Sequence, residues 1–155
     1  MRASTHEMSY IFIMLIIIKY MGLQVGIELG IAAISGLIGS TLPDAIDLKI
    51  PFISKIFEHR GFIHSVWIPS IFIIAFFMSE SGRLLDLSAF FFGIGWLTHI
   101  VGDSLTPKGI MPFTPLSKIK FAPAFLRKIP TGSFQEEIFQ FIIAVGIAFF
   151  VASGM

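Results

Sequence analysis

Long, nearly uninterrupted apolar runs constrain this chain more than any other feature. A helix crosses a bilayer with about 20 predominantly apolar residues. A window read along the sequence finds such stretches at residues 22–42, 62–78, 87–105 and 134–152. A shorter one, residues 8–18, runs into Lys19 and Tyr20 and reads as a short tilted span or a re-entrant segment. Composition agrees: 55% of the residues are hydrophobic and 14% charged, against about 25% charged in soluble domains. A soluble domain of this size buries only about two-thirds of its surface, so the 18 Phe and the Ile-, Leu- and Ala-rich runs need lipid as a covering. The expected fold is all-α, a polytopic membrane helical bundle of about five transmembrane or membrane-embedded helices, the first one short. Residues 1–155 then form a single integral membrane domain.

Within the second stretch, Gly26, Gly30, Ala33, Gly36 and Gly39 permit close helix contact, and Pro43 is expected to end it. The loops distinguish the two sides of the membrane. Residues 42–61 carry Lys49, Lys55 and Arg60; residues 106–133 carry Lys108, Lys118, Lys120, Arg127 and Lys128; residues 79–86 carry only Arg83. The excess of Lys and Arg in cytoplasmic loops places the two long loops and the N-terminus in the cytoplasm, with the C-terminus outside. The amino-terminal run lacks a clear small-residue cleavage site and is not expected to be a cleavable signal. Several prolines and mixed Phe and Lys suggest that residues 106–133 lie along the lipid headgroups. Lys+Arg number 11 against 10 Asp+Glu, which leaves no basic field for nucleic acid. Cysteine is absent, so a metal would be held by nitrogen and oxygen donors.

Given that topology, the histidines and several acids fall at one end of the helices. His6 precedes the first stretch, Asp44 and Asp47 follow the second, and His59, Arg60 and His64 stand at the entrance of the third. His99 and Asp103 lie in the last turns of the fourth, and Glu136 opens the fifth. Residues four apart project from one helical face, so His99 and Asp103 can offer two ligands to one ion; the competing reading is a His/Asp hydrogen bond between helices. His6, Asp44, His59, His64, His99, Asp103 and Glu136 are the candidate metal ligands, for one or two divalent cations, with Zn²⁺ favoured by imidazole and Mn²⁺ compatible with the carboxylates. Glu28 reads as lying in the middle of the second helix, where a carboxylate is expensive and a partner such as Lys19 is expected.

The ordered segments LPD, HRGFIH, THIVGDSLTPKG and GSFQE resemble the membrane-bound metal-dependent hydrolase family, the YdjM-like inner-membrane proteins associated with LexA regulation. The likeness covers most of the chain. That family's pattern of an early histidine, LPDxD, HRGxTHS, SHxxxDxxTxxG and a late GxxxE falls on His6, Asp44, His59-Arg60-Gly61 with His64-Ser65, His99 with Asp103, Thr106 and Gly109, and Gly132 with Glu136. The second acid of LPDxD is displaced by one residue to Asp47, and Ile63 stands in place of the usual Thr. The resemblance implies hydrolysis at the inner membrane. In such a reaction a bound ion would activate water against an ester or phosphoester, Asp47 would orient or deprotonate that water, and Arg60 would offset charge developing on oxygen. A site at headgroup depth suits an amphiphilic or lipid substrate approached from the cytoplasmic leaflet. The alternative is a non-catalytic adaptor, or an ion- or proton-coupled transporter, in which the His/Asp cluster is structural or conducting. Oligomeric state has no signature here. Gly102-Asp103-Ser104-Leu105 spells a lipase motif, but that serine belongs on a soluble α/β scaffold; the phosphate-binding blocks of the lipid phosphatases are missing, and no HExxH occurs.

Overall fold

The computed structural model describes residues 1–49, 61–79, 83–122 and 129–153. Among the described residues the chain forms five α-helices: α1 (Ala3–Met21), α2 (Ile27–Lys49), α3 (Trp67–Met78), α4 (Arg83–Ser104) and α5 (Phe134–Ala152). A 3₁₀ turn, Phe62–His64, precedes α3, and among the described residues the only extended pairing is an isolated bridge between Ile110 and Phe121. Among the described residues three helices, α2, α4 and α5, are long and apolar enough to cross a membrane.

The local chemistry of the ends explains most boundaries. Gly22 adopts φ +62, the left-handed conformation that closes a helix, and the Leu23 amide bonds back to the Ile18 carbonyl at 3.0 Å. This stop puts a turn where the sequence suggested that the second span begins, so α2 starts at Ile27. At the other end α2 does not stop at Pro43. The helix runs through the buried proline to Lys49, a proline position that membrane helices tolerate. α5 begins where the sequence places it, with the Ser133 hydroxyl accepting from the Glu136 amide and two acids in its first turn. α3 is shorter than the apolar run it comes from. At 12 residues it is about 18 Å long, since the chain spends residues 62–66 on the 3₁₀ turn and its exit.

α2 and α4 form the central pair. A side chain on Gly95 would overlap the Gly36 carbonyl, and one on Gly39 would overlap the Phe92 carbonyl, so glycine lets the two backbones touch. Gly26 and Gly30 have open space around them and serve no such contact. Tyr10 of α1 lies fully buried over Gly36, its hydroxyl donating to the Ala33 carbonyl at 3.1 Å. α3 packs where Gly93 meets the Pro69 carbonyl and Ile73. α5 sits at the edge and touches α1, with Gly146 against the Phe12 ring and the Lys19 ammonium 5.1 Å over Phe150. Of the span in α4, 44% is buried, against 11% for α5, so most of α5 is left for lipid to cover. Glu28 lies in the first turn of α2, not at mid-helix, and pairs with Arg83 of α4 at 3.6 Å rather than with Lys19.

Candidate metal centre

The opposite end of the bundle gathers the C-terminal turns of α2 and α4, the 3₁₀ turn, and the first turns of α1 and α5. His64, His99 and Asp103 are fully buried there. Asp44 Oδ1 lies 3.6 Å from the Nε2 atoms of both His64 and His99. Asp103 Oδ2 lies 3.8 Å from His64 Nε2 and 3.9 Å from His99 Nε2, and the two nitrogens are 3.2 Å apart. One ligand atom from each of Asp44, His64, His99 and Asp103 thus falls within 4.8 Å of every other.

Backbone and side-chain contacts behind the rings aim them inward. His99 Nδ1 is 2.8 Å from the Ser40 carbonyl, which accepts only a proton, so a neutral His99 turns its Nε2 lone pair to the centre. Ser40 precedes Pro43 by one helical turn, in the stretch where the proline interrupts the ladder of α2. His64 Nδ1 lies 3.5 Å from Asp47 Oδ2 on the far side of the ring. With a proton on that nitrogen, His64 also presents a lone pair inward. The turn that carries His64 is held by Trp96 of α4, whose indole donates to the Ile63 carbonyl at 3.0 Å, and by the Val66 amide bonded to the Pro112 carbonyl at 2.9 Å. Two imidazole lone pairs and two carboxylate oxygens facing one another repel unless a cation lies among them. Tetrahedral bonds of about 2.0–2.1 Å to nitrogen and oxygen put neighbouring ligand atoms about 3.3 Å apart, close to the lower end of the spacings seen here. The donor set and its geometry therefore fit a divalent cation, and a buried Asp/His/His/Asp group can hold one.

The remaining residues singled out from the sequence fall as follows. Asp47 lies beside the group, on the outer edge of His64. His6 is buried and stacks on His99 with ring centroids 4.0 Å apart, its Nε2 3.5 Å from Asp103 Oδ1. That same oxygen accepts from the Met1 ammonium at 2.7 Å. Glu136 is not brought into the group. Its carboxylate accepts from the Arg2 amide at 2.7 Å, the Thr5 hydroxyl at 2.7 Å and the Gly132 amide at 2.6 Å, which fastens the start of α1 to the start of α5. His59 and Arg60 lie outside the described residues. Thr106 caps α4 by donating to the Asp103 carbonyl at 2.7 Å, and Gly109 takes φ +63 in a turn where a Cβ would crowd Phe121 and Ala122.

Sequence reasoning missed the Ser40 carbonyl, the Trp96 clamp and Gln140, which donates to Thr5 at 2.7 Å beside Glu136. A backbone acceptor leaves no residue signature. Gln140 follows Glu136 by four, a spacing that marks a shared face.

No curated protein and no solved structure is significantly similar to the chain. A family model described as the YdjM inner membrane protein matches residues 1–155, the full length. Among the described residues three helices are long and apolar enough to cross a membrane, in keeping with an inner membrane family. The chain belongs to the YdjM inner membrane protein family.

Proposed function

We propose that this protein is a metal-dependent hydrolase of the inner membrane, with its centre at the cytoplasmic face, acting on an ester or phosphoester of an amphiphile. The observation that carries the reading is the convergence of Asp44, His64, His99 and Asp103 from three separate elements at the ends of two spans. A group of four nitrogen and oxygen donors supports one ion, Zn²⁺ ahead of Mn²⁺ for its two imidazoles. When bound, a divalent cation supplies Lewis acidity and brings a water to ionise near neutrality.

The chain's own groups do the rest. The Ser40 carbonyl holds the His99 ring with its Nε2 inward, and Asp47, at an ion-pair distance of 3.5 Å behind His64 Nδ1, steers the second ring the same way, as outer partners of a ligand do. Asp47 is accordingly assigned to positioning His64 rather than to removing a proton from water. Arg60, four residues before His64, is assigned to offset negative charge on the reacting oxygen. Transport is the weaker reading, because it would use ionisable groups spread through the bilayer. Glu28, which the sequence placed in the middle of a span, instead pairs with Arg83 at the far end of the bundle.

The test uses the full chain purified in mild detergent. Metal analysis is expected to give about one ion per chain, and a panel of phosphoesters, carboxylic esters and lipids is expected to show turnover that Asp103→Ala abolishes. Bound metal without turnover of any panel member would favour the adaptor reading. Turnover that survives Asp103→Ala with no metal bound would remove the hydrolytic centre from this site.

A further inference from the structure

An apolar cavity of about 590 Å³ opens between α1, α4 and α5, walled by residues such as Phe12, Ile13, Leu97, Val101, Ile142 and Gly146. Its two hydroxyls give no foothold for water: Ser9 donates to the Thr5 carbonyl and Thr98 to the Gly95 carbonyl, each at 2.7 Å. α4 and α5 are membrane spans by length and composition. Val101 and Ile142 on the cavity wall are 53% and 61% exposed. At that depth the surrounding medium is hydrocarbon, so an acyl chain is what can enter. The dimension agrees. Along α4 the lining runs from Ile94 to Leu105 just past its end, about 16 Å at the helical rise, or half of a hydrocarbon layer about 30 Å thick. The groove is one leaflet deep and reaches the metal end of the bundle.

The polar end of the groove is specific. Gly102 lines it, and a Cβ at that position would come within 3.0 Å of His6 Nδ1; the following residue is Asp103 of the four-donor group. His6 is 1% exposed; among the described residues its Nδ1 has no hydrogen-bond partner, and its Nε2 stands 3.5 Å from Asp103 Oδ1. A glycine thus stands between the apolar groove and a buried imidazole that lies beside the candidate metal centre.

We propose that the groove takes one acyl chain of a phospholipid from the leaflet at the metal end, and that this seating presents the lipid's ester or phosphoester to His6 and the Asp44, His64, His99 and Asp103 group. The chemistry rests on the hydrolase reading; the seating does not. His6, within 3.0 Å of a Cβ built at Gly102, is the buried imidazole behind that part of the groove wall.

The test uses the full chain in detergent, titrated with phosphatidylglycerol and followed by native mass spectrometry. The wild type is expected to retain about one phospholipid per chain. Val101→Trp and Ile142→Trp, which fill the groove from residues already exposed, are expected to lower that retention at least about tenfold. Ile74→Trp, equally exposed on α3 but outside the groove, serves as the comparison and is expected to match the wild type. Mn²⁺ alone, its binding read from its own paramagnetic spectrum, is expected to speed phosphorus relaxation of the retained lipid. Equal retention in the filled variants, or no retention by the wild type, would overturn the seating. Mn²⁺ and lipid bound together with no change in phosphorus relaxation would overturn the presentation to the metal. Absence of turnover when both are bound would sink the hydrolase reading alone and leave the groove assigned.

Discussion

Asp47 lies beside the four-donor group without joining it, 3.5 Å behind the outer edge of His64. The sequence places it three residues after Asp44, and because α2 continues through Pro43, that spacing puts both acids on one helical face. They meet His64 from opposite edges: Asp44 stands 3.6 Å from Nε2 and Asp47 stands 3.5 Å from Nδ1. Had α2 ended at the proline, Asp47 would have had no fixed relation to either. The displaced acid of the LPDxD segment is therefore intelligible only with the helix in view. The two kinds of position separate experimentally. Asp47→Asn is expected to weaken metal binding about 10- to 100-fold, the usual effect of losing an outer partner of a ligand, with the stoichiometry at saturation unchanged. His99→Ala is expected to abolish binding, since it leaves two carboxylates and one imidazole in a pocket built for four donors. Titration against a chromogenic chelator measures both. Complete loss of metal in Asp47→Asn would make Asp47 a direct ligand.

At the scale of elements, the centre depends on how closely α2 and α4 approach. Asp44 and the Ser40 carbonyl come from α2, while His99 and Asp103 come from α4, one and two turns beyond Gly95. Any added volume at Gly95 pushes on the Gly36 carbonyl, and the two helices have to part. Overpacking of this kind costs about 1–3 kcal/mol, and here it also separates His99 Nδ1 from the carbonyl that orients it. Gly95→Ala is thus expected to lower both the thermal midpoint in detergent and the metal affinity. Gly30 lies in the same helix with open space around it, so Gly30→Ala is expected to be neutral or stabilising by up to about 1 kcal/mol, the helical cost of glycine, with metal affinity unchanged. Equal behaviour of the two variants would contradict the close contact as the determinant. The small-residue pattern of this stretch was legible from sequence, but which glycines meet a neighbour was not, because that choice belongs to the partner helix. For the same reason the shortening of α3 was hidden: the 3₁₀ turn before it is held by Trp96 and the Pro112 carbonyl, contacts distant in sequence.

For the whole molecule, hydropathy read α5 with its boundaries and α4 to within a few residues, since long apolar periodicity carries its own evidence. The gathering of His64, His99, Asp44 and Asp103 at one end was also legible, because alternation of helix direction brings every second loop to the same side. What sequence could not divide was the polar end itself. Glu136 and His6 share that end with the four donors, yet Glu136 ties α1 to α5 through Arg2, Thr5 and Gly132, and His6 stacks on His99. Such a division is set by distances of a few ångströms between helices. It has a consequence for stability. The four donors join α2, the turn before α3, and α4, so an ion bound there adds a crosslink that the unfolded chain lacks. A ligand present at about 100 times its dissociation constant stabilises by about 2.7 kcal/mol, or roughly 5–10 °C in a chain of this length. Stripping the protein with a strong chelator is therefore expected to lower its thermal midpoint by about that interval, and readdition of Zn²⁺ should restore it. In His64→Ala the midpoint should not respond to chelator. In Glu136→Gln, which spoils the fastening of α5 at a cost of about 1–3 kcal/mol but leaves the four donors in place, the midpoint should fall and the response to chelator should persist. A chelator response lost in Glu136→Gln as well would mean that the two halves of the polar end act as one unit, and that Glu136 contributes to holding the ion.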